Sequence, residues 1–157
     1  MRLYLLRHAE AEVEAASDRA RRLTPKGRDQ AERVGKFCRE QGIEPAMILS
    51  SPVTRALQTA KAVAGSLSGA ELAEVSWAAC GMDPWTAMEE LSAFAKLPTV
   101  MLVGHQPDLG ALASVLLGMD NVQALHVRKA LLMAIDAPHG IGERRGVLQF
   151  FVPVKLM

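Results

Sequence analysis

A chain of 157 residues and 17.0 kDa is long enough to bury a full core and fits one domain spanning 1–157. Half of the residues are hydrophobic and the net charge is +1, which removes any electrostatic reason to expect nucleic acid or an anionic membrane as the main partner. Aromatic residues at 4% are too few for the stacking platforms that bind single strands.

Leu3, Tyr4, Leu5 and Leu6 form a short apolar run that suits a strand buried on both faces, as in a parallel sheet between helices. The run stops at Arg7-His8, and ligands of open α/β sheets collect at such carboxyl ends. Arg7, His8 and Glu10 also interrupt the N-terminal apolar segment early, so no signal peptide is expected. A polar loop from Ala11 to Leu23 follows, with a charge cluster ending in Arg21-Arg22. Thr24-Pro25 then opens a helix as N-cap and first helical residue. Ala31, Val34, Phe37 and Cys38 recur at helical spacing within it, Lys26 to Arg28 reads as a solvated first turn, and Gly42 ends it.

A second strand, Ala46 to Leu49, runs into Ser50-Ser51-Pro52, read as another N-cap and proline pair. Its helix carries Arg55, Ala56, Thr59, Ala60 and Val63 and stops near Gly65. Leu72 to Trp77 is read as a short edge strand, and Asp83-Pro84 starts a helix through Phe94, with Asp83 its cap. Thr99 to Val103 is a strand ended by Gly104-His105, and a helix runs from Asp108 to Leu117, far too short to span a bilayer. Leu131 to Ile135 and Val147 to Val152 read as two strands in a hairpin-like ending. The alternation predicts a three-layer α/β/α sandwich around a mainly parallel sheet. Cys38 and Cys80 have no metal-type spacing and read as reduced residues of a cytoplasmic protein.

Three strands thus end in polar residues of related kinds: Arg7-His8, Ser51 to Arg55, and Gly104-His105. In a parallel sheet these ends share one edge, so two arginines and two histidines converge. Arg55 falls in the first turn of its helix, where free N–H groups and a guanidinium favour a phosphate-sized dianion, and Arg7 supplies a second planar fork. One histidine can attack phosphorus while the other holds a non-bridging oxygen. Phosphoryl transfer needs little beyond positioning and charge neutralisation, so no metal or other cofactor is required.

LLRHAE, LTPKGRDQA, SSPVTRALQTA and VGHQPDL resemble the motifs of the histidine phosphatase superfamily, with its phosphoglycerate-mutase-like fold, and most of all its SixA-type phosphohistidine phosphatases. The resemblance spans Met1 to Leu117. It implies that His8 is the nucleophile that becomes phosphorylated, that Arg7 and Arg55 grip the phosphate, and that His105 stabilises the transferring group. It also places Arg21 near the pocket as a substrate-binding residue. Many relatives carry a glutamate after the second helix that protonates the leaving group. Here the region from Glu74 to Asp83 offers Ser76 and Trp77 instead, with Glu74 and Asp83 as poor candidates.

The expected substrate is a phosphohistidine-containing protein or a small phosphorylated compound. The rivals are a general phosphomonoesterase of the same superfamily and a phosphohistidine-binding module without turnover. Lys129 is read as a surface residue rather than part of the pocket, and His126 and His139 as exposed. His8-Ala9-Glu10 has the H-x-E form of zinc deaminases, but no P-C-x-x-C follows, which rules that reading out.

Overall fold

The structure is a computed structural model that describes residues 1–121 and 124–157. Its centre is a six-stranded sheet in the order β3-β2-β4-β1-β5-β6. The strands are β1 (Arg2–Arg7), β2 (Met47–Ser50), β3 (Glu71–Glu74), β4 (Thr99–Gly104), β5 (Leu132–Asp136) and β6 (Val147–Val152). The first four in chain order are parallel, and β5 and β6 join antiparallel beyond β1. The four helices are α1 (Pro25–Glu40), α2 (Thr54–Gly65), α3 (Pro84–Ser92) and α4 (Asp108–Leu117).

The continuous apolar run of β1 has a simple cause. Successive side chains point to opposite faces, and each face of this sheet has its own core. Tyr4 and Leu6 pack with Ala31, Val34, Cys38, Ala56, Ala60 and Val63 of α1 and α2. Leu3 and Leu5 pack with Ala87, Leu91, Leu109, Leu112 and Leu116 of α3 and α4. β4 repeats the division, with Met101 and Val103 on the first side and Val100 and Leu102 on the second. The result is the three-layer sandwich expected from the sequence.

The helix signals hold at α1 and α3. Thr24 Oγ1 accepts from the Gly27 N–H at 3.0 Å with Pro25 at the first helical position, and Asp83 accepts from the Thr86 N–H at 2.8 Å. Gly42, at φ +64°, takes the left-handed turn that ends α1. Gly27 belongs to α1 for a different reason. A Cβ there would lie 1.9 Å from the Glu10 carbonyl oxygen, so only glycine lets the helix approach the loop leaving β1. Gly27 is buried, which corrects the reading of Lys26 to Arg28 as wholly solvated.

Two expectations fail locally. α2 starts at Thr54 with Val53 as its N-cap and no side-chain cap, so Ser51-Pro52 is not a capping pair. The strand expected over Leu72 to Trp77 ends at Glu74, and Ser76–Ala78 forms a single 3-10 turn. The loop between β1 and α1 is also partly ordered, with a 3-10 turn at Asp18–Ala20 and a bridge from Ala11 to Leu23. Both cysteines are free thiols, Cys38 buried and Cys80 exposed. No helix among the described residues is long and apolar enough to cross a membrane.

Candidate active site

Sheet register assembles the site. Arg7 pairs with Gly104 and Ser50 with Val103, so His8, Ser51 and His105 follow directly from three adjacent strand ends. Backbone bonds carry the register one residue past the strands: His8 N–H donates to the Gly104 carbonyl at 3.0 Å and Ser51 N–H to the Val103 carbonyl at 3.0 Å. The imidazoles of His8 and His105 then sit with ring centroids 5.3 Å apart. Arg55 enters from the first turn of α2, and Gln106, Pro107 and Asp108 bring in the N-terminal end of α4. A cavity of about 230 Å³ lies between them, lined also by Arg7, Arg21, Cys80, Gly81 and Lys129.

His8, Arg55 and His105 are only 6%, 5% and 3% exposed. His8 Nδ1 lies 2.7 Å from the neighbouring Ala9 carbonyl, which can only accept, so Nδ1 carries the proton and Nε2 keeps its lone pair. Arg55 Nε donates to that Nε2 at 3.3 Å, consistent with the same tautomer. Burial pushes His8 down to about 3, with His105 and the two guanidinium charges adding to the effect against the Ala9 hydrogen bond. Burial likewise lowers His105 to about 4, with Arg55 the next cause. Both rings are therefore neutral at pH 7. Burial and then the Arg55 charge also hold Arg7 below the usual guanidinium value.

The two arginines are anchored differently. Arg7 Nη1 donates to the Val127 carbonyl at 2.8 Å. Arg55 Nη1 donates to the Asp18 carbonyl at 2.7 Å, and Nη2 to the Asp18 carboxylate at 3.1 Å and to Cys80 Sγ at 3.3 Å. Arg21 meets the other oxygen of that carboxylate at 3.0 Å and donates through Nε to the Glu12 carbonyl. Asp18 thus bridges Arg21 and Arg55, whose hydrogen bonds hold its carboxyl below the usual range, Arg21 first. Asp18 is 60% exposed at its side chain, so the pair orients Arg55 more than it stabilises the fold.

Among the described residues, three buried side-chain polar atoms lack a hydrogen-bond partner: Arg7 Nε, His105 Nδ1 and Ser114 Oγ. The first two belong to residues that line the cavity beside His8. Buried donors without partners are costly and rare, and an anion would satisfy both.

All five residues expected from the sequence, Arg7, His8, Arg21, Arg55 and His105, line this one cavity. Lys129 lines it too, which corrects its reading as a surface residue. Glu74 and Asp83 do not line it. Asp83 is occupied as a cap by the Thr86 N–H and hydroxyl. His126 and His139 are both exposed, as expected, with His126 at the edge of a second cavity. Sequence reasoning missed Asp18, in a loop without periodicity, and Asp108, whose Oδ2 accepts from the Gly81 N–H at 2.9 Å. It cast Ser51 as a helix cap, whereas the Ser51 hydroxyl lies 2.8 Å from His105 Nε2 and accepts from the Val53 N–H. It also missed what Thr59 does: its hydroxyl accepts from the Ala9 N–H at 3.1 Å and donates to the Arg55 carbonyl at 2.7 Å.

Comparison with known proteins agrees with this geometry. The family model of the histidine phosphatase superfamily (branch 1) matches residues 3–90. Phosphohistidine phosphatase SixA of Escherichia coli is 32% identical over 118 residues, covering 73% of each chain. The structure of a phosphohistidine phosphatase SixA from Agrobacterium tumefaciens superposes with a TM-score of 0.84 at 27% identity, covering 97% of each chain. A further structure of the protein histidine phosphatase SixA gives a TM-score of 0.86 over 99% of each chain and, at 23% identity, speaks for the fold alone. The chain belongs to the histidine phosphatase superfamily and is a phosphatase of its SixA-like kind.

Proposed function

We propose that the protein removes phosphate from phosphohistidine on another protein, without a metal, through a phosphorylated His8. The observation that carries this reading is the pair of unpartnered buried nitrogens, Arg7 Nε and His105 Nδ1, beside a neutral His8 whose Nε2 keeps its lone pair. Arg7 and Arg55 grip the non-bridging oxygens with charge-assisted bonds. The Ser51 hydroxyl donates to His105 Nε2, so that His105 presents Nδ1–H to a third oxygen. The incoming phosphoryl group takes over the Arg55 Nε–H, and the freed Nε2 lone pair forms the N–P bond. The bond from phosphorus to the leaving group breaks with its electron pair on the departing atom. The Ala9 carbonyl holds the Nδ1 proton as positive charge develops on the ring. Water then attacks phosphorus, orthophosphate leaves, and Nε2 recovers its lone pair. The arginines and His105 supply the charge and hydrogen bonding that metals provide elsewhere.

The leaving group is argued from the acid. Expelling an alkoxide requires protonation of the oxygen as the bond breaks. A phosphohistidine imidazole can carry a proton on its far nitrogen and leave as a neutral ring. The carboxylate on the cavity wall, Asp108, already accepts from Gly81, and Glu74 and Asp83 lie elsewhere. The E. coli relative's name is in keeping with this substrate. Asp108 favours a second reading, a general phosphomonoesterase in which it protonates the leaving oxygen.

Rapid-quench labelling tests both. With a 32P-phosphohistidine protein as donor, in EDTA, wild type should form an acid-labile, alkali-stable phosphoenzyme that His8→Asn does not. Labelling of His8→Asn, or activity rescued only by one added metal, would refute the mechanism. Equal kcat/KM for phosphohistidine and phosphoserine peptides, with a large loss on phosphoserine alone in Asp108→Asn, would establish the second reading.

A further inference from the structure

The wall of the catalytic cavity formed by Arg7 and Lys129 is shared with a second, larger cavity of about 480 Å³. Its charge is one-sided. Arg7, Lys26, Arg128, Lys129 and Lys155 line it, and Glu10 is the only carboxylate among the described residues that do. Lys26 already holds that carboxylate at 3.1 Å and keeps it below its usual range. Among the described residues, Arg128, Lys129 and Lys155 have no carboxylate within salt-bridge distance. The whole chain carries only +1, so this concentration of cations is not a reflection of a basic protein. It draws on four separate places: the end of β1, the start of α1, the stretch before β5 and the 3-10 turn Val154–Leu156. Folding therefore gathers cations that sequence keeps apart, beside the phosphate-binding arginine.

We propose that this groove seats an acidic segment of the substrate protein, next to its phosphorylated residue, and so sets substrate preference by charge. The proposal rests on the reading above that the phosphoryl group is delivered on a protein. A small phosphorylated metabolite would fill the 230 Å³ cavity and have no use for the larger one. An extended acidic chain would reach both at once, with Arg7 and Lys129 at the junction. Complementary charge of this kind steers encounter and selects among partners, and it weakens with salt.

The test reads binding without turnover, so it remains distinct from the phosphoenzyme experiment. Fluorescently labelled, unphosphorylated peptides of equal length, one glutamate-rich and one lysine-rich, are titrated with the full chain by anisotropy at low salt. Wild type should bind the glutamate-rich peptide at least about tenfold more tightly, an advantage that high salt erodes. Arg128→Glu with Lys155→Glu should abolish that preference. Neither residue lines the catalytic cavity, so kcat/KM for p-nitrophenyl phosphate should stay at the wild-type level. Arg128→Gln with Lys155→Gln, which adds no repulsion, should give an intermediate loss and serves if the reversed pair does not fold. Equal binding of the two peptides by wild type, or a preference unchanged in the folded double variants, would overturn the proposal. Equal tightening for every polyanion tried, RNA included, would also overturn it as a protein-docking groove.

Discussion

Thr59 offers the most direct test of how the fold holds His8, the proposed nucleophile. Its hydroxyl accepts from the Ala9 N–H at 3.1 Å and donates to the Arg55 carbonyl at 2.7 Å. It therefore ties the residue after His8 to the helix turn that carries Arg55. Thr59 and Ala9 are both fully buried, so no water can replace the bond. Thr59→Val keeps the shape of the side chain and removes only the hydroxyl. The Ala9 N–H is then left unpaired, at a cost of about 1–3 kcal/mol. For a chain of this size that lowers Tm by about 3–10 °C. The variant also loosens the link between the strand end that carries His8 and the helix turn that carries Arg55, and displacement on the scale of 1 Å costs up to about 100-fold in rate. Thermal melts by circular dichroism and kcat/KM for p-nitrophenyl phosphate would be measured together. Thr59→Ser keeps the oxygen and should recover most of both. A valine variant that melts and turns over like wild type would refute the tether.

Arg55→Lys should lose much of the transition-state stabilisation that one preorganised donor supplies, about 2–4 kcal/mol in kcat/KM, and recover only part of what Arg55→Ala loses. Gly27→Ala should destabilise by about 1–3 kcal/mol in denaturant melts, since its Cβ meets the Glu10 carbonyl and the backbone must move. Stability should also fall in acid. His8 and His105 are held near 3 and 4 when folded, below the roughly 6.5 of an unfolded chain, so the unfolded state binds protons first. Their contribution is fully present above about pH 6.5 and lost as pH falls toward 4 and then 3. Urea melts across that window should show a slope that flattens in the His8→Asn, His105→Asn double variant, and an unchanged slope would contradict the burial of both rings.

The strand ends are legible in the sequence because each bears an abrupt change from apolar to polar, at Arg7-His8 and at Gly104-His105. A buried strand cannot hide that change, and a parallel sheet puts such ends on one edge. α1 is legible through Thr24-Pro25 because capping is local chemistry. Ser51-Pro52 shows the same pattern, yet tertiary structure overrides it: Ser51 bonds His105 across the sheet edge, and α2 begins at Thr54 without a side-chain cap. Asp18 is beyond the reach of sequence reasoning because its importance comes from meeting Arg55, 37 positions later, through an irregular loop. Lys129 is misplaced for a similar reason: the turn before β5 brings it to the rim, and no periodicity marks a turn. Thr59 reads as an inward-facing helix residue, which it is. That its hydroxyl reaches Ala9 depends on how closely α2 packs against β1.

The site's positive charge and its neutral histidines are two consequences of one arrangement. A nucleophilic imidazole must keep its lone pair, and a ring beside bound phosphate would ordinarily gain a proton from the anion's field. Here burial opposes that proton, and Arg7 and Arg55 oppose it further by charge. In the proposed mechanism the same guanidiniums attract the dianion. Replacing either arginine by a neutral residue would weaken phosphate binding and at the same time let His8 protonate more easily once phosphate is bound. In the proposed mechanism the two losses multiply in the rate, because only the complex that holds both the anion and a neutral His8 reacts. The Ala9 carbonyl completes the arrangement by keeping the one remaining proton on Nδ1, away from phosphorus. On the proposed mechanism, placing the imidazole beside the arginines therefore serves the nucleophile as much as the substrate. An imidazole at the same strand end without them would be a proton acceptor first and a nucleophile second.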